Sequence, residues 1–130
     1  LAEQSCPYEL YEVVIADDGS TDGTEEAVAG FVAPYKLRYS WQENAGVNAA
    51  RNRGLHQAYG DIVLFLDDDM VADPRLLEEH LKAHERYPKA IFRGQVFLAC
   101  EHPPDVYAAL RANQPEVALP NGSGIQEISY

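Results

Sequence analysis

The chain has 130 residues, 46% hydrophobic and 24% charged, with 21 Asp and Glu against 10 Lys and Arg for a formal charge of -11. That length and composition fit one globular unit with a core, leave no comfortable room for two, and exclude a disordered or collagen-like chain. The acidic balance, with its basic residues unclustered, excludes a nucleic-acid phosphate surface; an anionic ligand would need a metal ion or a focused Arg to overcome the repulsion.

In YEVVIADDGS, the β-branched run Val13, Val14 and Ile15 stops at Asp17-Asp18-Gly19, the pattern of a buried strand ending in a loop. Asp22 with Glu25 three positions on resembles a capping box, and Ala27, Val28, Phe31 and Val32 then repeat at helical spacing. A helix over 23–33, closed by Pro34, is expected. Leu37, Tyr39 and Trp41 alternate with polar residues and predict a second strand at a sheet edge.

The small residues and helix formers of NAGVNAARNRGLHQAYG predict a helix over 47–59, with Gly60 as its left-handed terminator and Ala49, Ala50 and Gly54 allowing close packing. Ile62 to Leu66 are continuously apolar, as in a strand covered on both faces at the centre of a parallel sheet, and Asp67-Asp68-Asp69 follow at its carboxyl end. Asp73 then caps a helix with Pro74 at its first position, carrying Leu76, Leu77 and Leu81 until Tyr87-Pro88 ends it. Ile91 to Ala99 read as one more strand, interrupted at Gly94. Beyond Glu101, the segments HPPD, NQP and LPNGSG lack periodicity and predict loops with one short helix over 106–112.

Strands and helices alternating at these intervals predict an α/β fold, a mostly parallel sheet flanked by helices. Residues 1–100 form its ligand-binding part, and 101–130 open a second, loop-rich region. Cys6 and Cys100 lack CxxC or Cys/His ligand spacing and read as buried or idle thiols. No apolar run approaches the ~20 residues that span a bilayer, and no signal-peptide pattern opens the chain. A cytoplasmic location follows as the expectation, at the inner face of a membrane if a longer parent protein carries an anchor.

In open α/β sheets ligands sit outside the carboxyl ends of the strands, where both acid clusters fall. Adjacent carboxylates repel, by on the order of 3 kcal/mol for a pair ~5 Å apart at an effective dielectric of ~20. A divalent cation held by one or two carboxylates and a ligand's phosphates offsets that cost, and oxygen ligands of this kind suit Mg²⁺ or Mn²⁺. The competing reading is a solvated turn, but Asp73 already fills the capping role. For Asp17-Asp18 a plain Asp-Gly turn is the stronger competitor. DDGSTDGT also places Asp18, Ser20, Asp22 and Gly23 at positions of a calcium loop, but its last ligand position falls on Ala29, where a Glu is required.

Together VVIADDGSTDGT, NAGVNAARNRGL and DIVLFLDDDM resemble, in order, the donor-site motifs of the family 2 glycosyltransferases, inverting enzymes of the GT-A fold. The resemblance runs from about Tyr11 to Arg93. It implies that Asp17 and Asp18 lie by the nucleoside of a nucleotide-diphospho-sugar, a UDP-sugar by default. It also implies that Asp67 and Asp69 form the family's Asp-X-Asp pair, approaching the ribose and holding Mn²⁺ or Mg²⁺ on the diphosphate, with Asp68 in the variable middle place. Arg51 and Asn52 match the Ala-Arg-Asn segment of the donor pocket. A guanidinium there suits a base edge or diphosphate, with a surface ion pair to the acids as the alternative. Asn44 and Gly46 shape the loop entering the helix, or Asn44 is a plain turn residue.

The family's opening strand and Pro-Thr-Tyr-Asn-like turn have no match here, so the fold is expected to be incomplete, with an open sheet edge prone to association. Inverting transfer also needs a general base near the acceptor hydroxyl of a saccharide or other alcohol. Asp105 and Glu127, and likewise Glu101 and Glu116, lack the matching context, and no base is assigned. Two rival readings remain: a nucleotidyltransferase, which should carry a Gly-rich, basic triphosphate loop that is not seen, and a catalytically silent nucleotide- or metal-binding fragment.

Overall fold

A computed structural model describes residues 1–94 and residue 96. Two compact units are distinguished, Leu1–Glu79 and a second beginning at His80. The first unit contains β1 (Glu12–Asp17), α1 (Thr24–Gly30), β2 (Lys36–Trp41), α2 (Val47–Gln57) and the start of α3 (Leu76–Arg86), with a short 3₁₀ turn at Tyr8–Leu10 before β1.

The two strands are parallel, Glu12 opposite Lys36 through Asp17 opposite Trp41. Side chains alternate along a strand, so this register sorts the pair into two faces. Val13, Ile15 and Asp17 share one face with Leu37, Tyr39 and Trp41. On that face Tyr39 and Trp41 meet Thr24, Glu25 and Glu26 of α1 around a cleft of about 350 Å³. The other face carries Val14, Ala16, Arg38 and Ser40 and receives α2. Small residues permit the approach: Ala50 is buried, and a Cβ added at Gly54 would lie 3.5 Å from that of Ala16. Polar side chains complete the contact, since the Ser40 hydroxyl accepts from Arg53 Nε and, at 2.8 Å, from Gln57 Nε2.

Helix ends differ from expectation in instructive ways. Gly23, left-handed at φ 87°, precedes α1, while the Asp22 carboxylate accepts from Thr24 N at 3.2 Å and from its hydroxyl; the reciprocal Glu25 bond of a capping box is not formed. Phe31, extended, ends α1 before Pro34 is reached. Ala58, also extended, ends α2, and Gly60 is not left-handed. Ahead of α3, Asp73 Oδ1 accepts from Arg75 N at 2.8 Å, so the predicted cap forms although the regular helix begins at Leu76. Its Leu77 N–H donates to the buried Gln4 side chain at 3.1 Å, and Gln4 Nε2 returns a bond to Asp73 O at 2.7 Å. Cys6 beside this clasp is free and buried, and burial and then Glu78 push its thiol pKa up.

The expected strand over Ile62 to Leu66 is not formed. Its backbone joins no ladder, and Val63 and Phe65 are 37% and 53% exposed. A continuous apolar run encodes burial on both faces but supplies no hydrogen-bonding neighbour, and the sheet of the described residues consists of β1 and β2 alone. For the same reason the core is shallow: the buried apolar side chains among the described residues are Cys6, Ala50 and Ala83. Within the second unit, His84 packs edge-on to Phe92 with ring centroids 4.8 Å apart, and burial lowers the pKa of His80. Of the strand expected over 91–99, residues 91–93 are not in a strand and Gly94 makes an isolated bridge. Residues 95 and 97–99 lie outside the described residues, as do Cys100 and the helix expected over 106–112. Among the described residues no helix is long and apolar enough to cross a membrane.

The α2 contact tests directly. Gly54 is helical and has ordinary contact distance for one Cβ, so Gly54→Ala should raise stability by about 0.5–1 kcal/mol. Gly54→Leu should instead lower it by about 1–3 kcal/mol through overpacking against Ala16. Urea unfolding of the three proteins measures both, and a stabilising Leu would show that α2 does not sit on Ala16.

Candidate functional site

The carboxyl ends of β1 and β2 meet at one rim because the strands are parallel. β1 delivers Asp17 and Asp18 there. Asp17 is buried and accepts hydrogen bonds from the Tyr39 hydroxyl and, at 2.8 Å, from Ser20 N. The Tyr39 bond, then the Ser20 amide, hold its carboxyl below the usual range, and the same bond, with burial, pushes the Tyr39 phenol up to about 12. Tyr39 reaches Asp17 because it pairs with Ile15, two residues before Asp17 on the same face, which makes the two side chains diagonal neighbours.

Asp18 faces the loop that enters α2. Its Oδ1 accepts from Gln42 Nε2 at 2.6 Å and Ala45 N at 2.9 Å, and its Oδ2 accepts from Gly46 N at 2.8 Å. The Ala45 amide, then Gln42, lower its pKa. Gly46, at φ 91°, turns the loop into α2 as expected. Asn44 contributes backbone more than side chain: a Cβ placed on Gly19 would come within 2.9 Å of Asn44 N, and Gly19 itself is at φ 95°. Only glycine satisfies both the left-handed conformation and that approach.

A turn into α2, Arg51 Nη2 donates to Asp67 Oδ1 at 3.0 Å, with side chains 46% and 56% exposed. From Val47 to Arg51 is about 6 Å of helix, so one element holds Asp18 at its entrance and Asp67 one turn later. The ion pair that was the alternative for Arg51 is therefore present, and it is made with the second acid cluster. Asp68 and Asp69 beside it are exposed, and so is Asn52 on α2. No hydrogen bond joins the Asn52 side chain to either acid cluster among the described residues.

No three His, Cys, Asp or Glu side chains converge as a metal cage among the described residues. An ion of the Mg²⁺ type does not need such a cage, since it keeps waters and takes one or two carboxylates with a ligand's phosphates. The exposed Asp69 carboxylate and the Asp67 oxygen not bonded to Arg51 fit that requirement. The four candidate bases, Asp105, Glu127, Glu101 and Glu116, lie outside the described residues. Tyr39 and Gln42, which orient the first acid pair, were not singled out from sequence; the alternation of Leu37, Tyr39 and Trp41 was the available signal, but it required the strand register.

A model of the family described as "Glycosyl transferase family 2" matches residues 1–124. The chain is 40% identical over 95 residues to an uncharacterized glycosyltransferase, YfnE, of Bacillus subtilis, covering 72% of this chain and 24% of that protein. It is 38% identical over 86 residues to a validoxylamine A glucosyltransferase of Streptomyces hygroscopicus, covering 65% and 20%. To the glycosyltransferase GlyA of Streptococcus pneumoniae it is 35% identical over 91 residues, covering 69% and 13%. The chain thus spans about a quarter or less of the length of these relatives. No solved structure matches it significantly.

The lowered carboxyl pKa values of Asp17 and Asp18 set a pH dependence. As the pH falls, the unfolded chain, with ordinary carboxylates near ~3.9, takes up protons before the folded one. The stability from these two groups is therefore full above ~5 and is lost as the pH falls through ~4 and on through the folded values. Urea midpoints between neutral and acid pH should show this loss, and Asp18→Asn should flatten it. The same substitution should speed exchange of the Ala45 and Gly46 amides roughly tenfold; unchanged exchange would show that the carboxylate does not hold the loop.

Proposed function

The chain belongs to glycosyl transferase family 2, whose fold is of the GT-A type, and from that premise we propose that it supplies the donor-binding part of a glycosyltransferase. The donor in this reading is a nucleotide-diphospho-sugar, with UDP the first nucleotide to test. The sugar passes with inversion to a hydroxyl of a saccharide or other acceptor. The relative named for glucosyl transfer to validoxylamine A makes glucose the first sugar to test. The observation that carries the proposal is the half-exposed Arg51–Asp67 pair at the strand-end rim.

An exposed ion pair contributes only about 0–1 kcal/mol, so little opposes a change of partner. Arg51 can leave Asp67 for the diphosphate, two of whose oxygens accept the guanidinium bidentately. That exchange frees Asp67 to act with Asp69 toward a divalent ion. Bound there, Mn²⁺ or Mg²⁺ would stabilise charge on the departing diphosphate, a Lewis-acid contribution of several kcal/mol. Asp17 and Asp18, kept ionised by the protein's own donors, hold the two loops whose backbone would face the nucleoside. Arg51 screens the repulsion between the acid rim and the diphosphate, whose negative charge grows as it departs with the bonding pair. In a chain of charge -11, that screening is needed before any phosphate can approach. We assign no general base, so transfer by these residues alone is not part of the reading.

Calorimetric titration of UDP into the chain, with Mn²⁺ and with chelator, tests it. Binding should require the metal, vanish in Asp67→Ala and Asp69→Ala, and weaken roughly tenfold or more in Arg51→Ala, as for loss of a charged hydrogen bond. Metal-independent binding of equal strength, or none in a folded sample, would contradict the assignment of the rim.

A further inference from the structure

At the opposite rim the amino ends of β1 and β2 carry a second cluster with no part in the site above. Tyr11 immediately precedes β1, Tyr35 immediately precedes β2, and Tyr59 follows α2. With Tyr8, Glu12 and Lys36 they line a cleft of about 490 Å³, within the ~300–1,000 Å³ range of small-ligand sites. A six-residue strand rises about 17–20 Å, which separates this cleft from the acid rim by the length of β1.

The rings are fixed from behind. Tyr8 and Tyr11 meet edge to face with centroids 6.2 Å apart, and Tyr11 and Tyr35 lie 5.3 Å apart. The Tyr8 and Tyr11 hydroxyls donate to Ala2 O at 2.9 Å and Leu1 O at 3.1 Å. The Arg38 guanidinium lies 4.3 Å from the Tyr59 centroid and pairs with Glu12, whose other oxygen accepts from Tyr59 N at 2.6 Å. Yet Tyr59 remains 79% exposed and Tyr8 39% exposed. Oriented rings with open surface lose little freedom on binding and offer apolar area left exposed among the described residues.

Charge selects among ligands. Glu9 and Glu12 stand against Lys36 and Arg38, so the cleft is locally neutral in a strongly acidic chain. Its basic groups already engage the Tyr59 ring, so the cation-binding use of that ring is occupied. What fits is a neutral molecule with apolar C–H faces and many hydroxyls. We propose that this tyrosine-lined cleft binds a neutral oligosaccharide, its pyranose faces stacked on Tyr59 and Tyr8 and its hydroxyls bonded to the Glu9 carboxylate and Lys36 ammonium. The inference rests on the glycosyl-transfer reading for the class of ligand, acceptor or product glycan, and on the cleft for its place.

The test is tyrosine-ring NMR of the full chain with maltotetraose, cellotetraose and chitotetraose, and with decaproline as a peptide probe. At least one saccharide should shift Tyr8 and Tyr59 saturably with Kd on the order of 1 mM, leaving Tyr39 unmoved. Tyr59→Ala should weaken binding roughly tenfold, a loss on the scale of one stacked ring, and Tyr59→Phe should restore it; UDP binding with Mn²⁺ should be unchanged in both. No shift from any saccharide, or a shift from decaproline alone, overturns the proposal. If UDP and Mn²⁺ still bind, the failure is of this cleft and not of the donor site. Saccharide binding without UDP binding supports the cleft and removes the donor assignment instead.

Discussion

The carboxylate of Asp18 closes hydrogen bonds to the Gln42 side chain and to the amides of Ala45 and Gly46, 24 to 28 residues further along the chain. The rest of the rim depends on that closure. It sets where the loop after β2 turns, hence where α2 begins, hence where Arg51 emerges one turn later beside Asp67. Both Asp18 oxygens are engaged by the protein's own donors, whereas Asp68 and Asp69 stand open. The two acid clusters therefore differ in role: one builds the rim, and the other stands exposed beside it. Conformational entropy gives the arrangement its reason, since ordering a loop costs about 1–2 kcal/mol per residue of backbone and a charged acceptor on neighbouring amides offsets part of that before any ligand arrives.

Much of this was legible in the residues. The β-branched run at Val13 to Ile15, the alternating Leu37, Tyr39 and Trp41, and the small residues and helix formers from Val47 all form the elements their composition and pattern predict. Ala50 and Gly54 read correctly as contact residues because their size leaves no other way to bring a helix so near a strand. Pairing is another matter. The run from Ile62 to Leu66 is as strand-like as β1 by composition, yet strand identity belongs to a pair, and the described residues supply it no neighbour.

Long-range partners were hidden for the same reason. Tyr39 and Asp17 are far apart in sequence and become diagonal neighbours only through the β1–β2 register. Gln4 gives no sign that it will satisfy the first turn of a helix beginning more than seventy residues later. The tyrosines at positions 8, 11, 35 and 59 belong to four separate segments that parallel topology collects at one end. Local chemistry was readable; coincidence in space was not.

Gly19 and Asn44 approach so closely that no Cβ could stand between them. The strand-end loop and the helix-entry loop therefore meet backbone to backbone, with Asp18 pinning the second to the first. At that point no side-chain rotamer lies between the two loops to take up a displacement, so Gly19 and Asn44 keep their spacing together or lose the contact together.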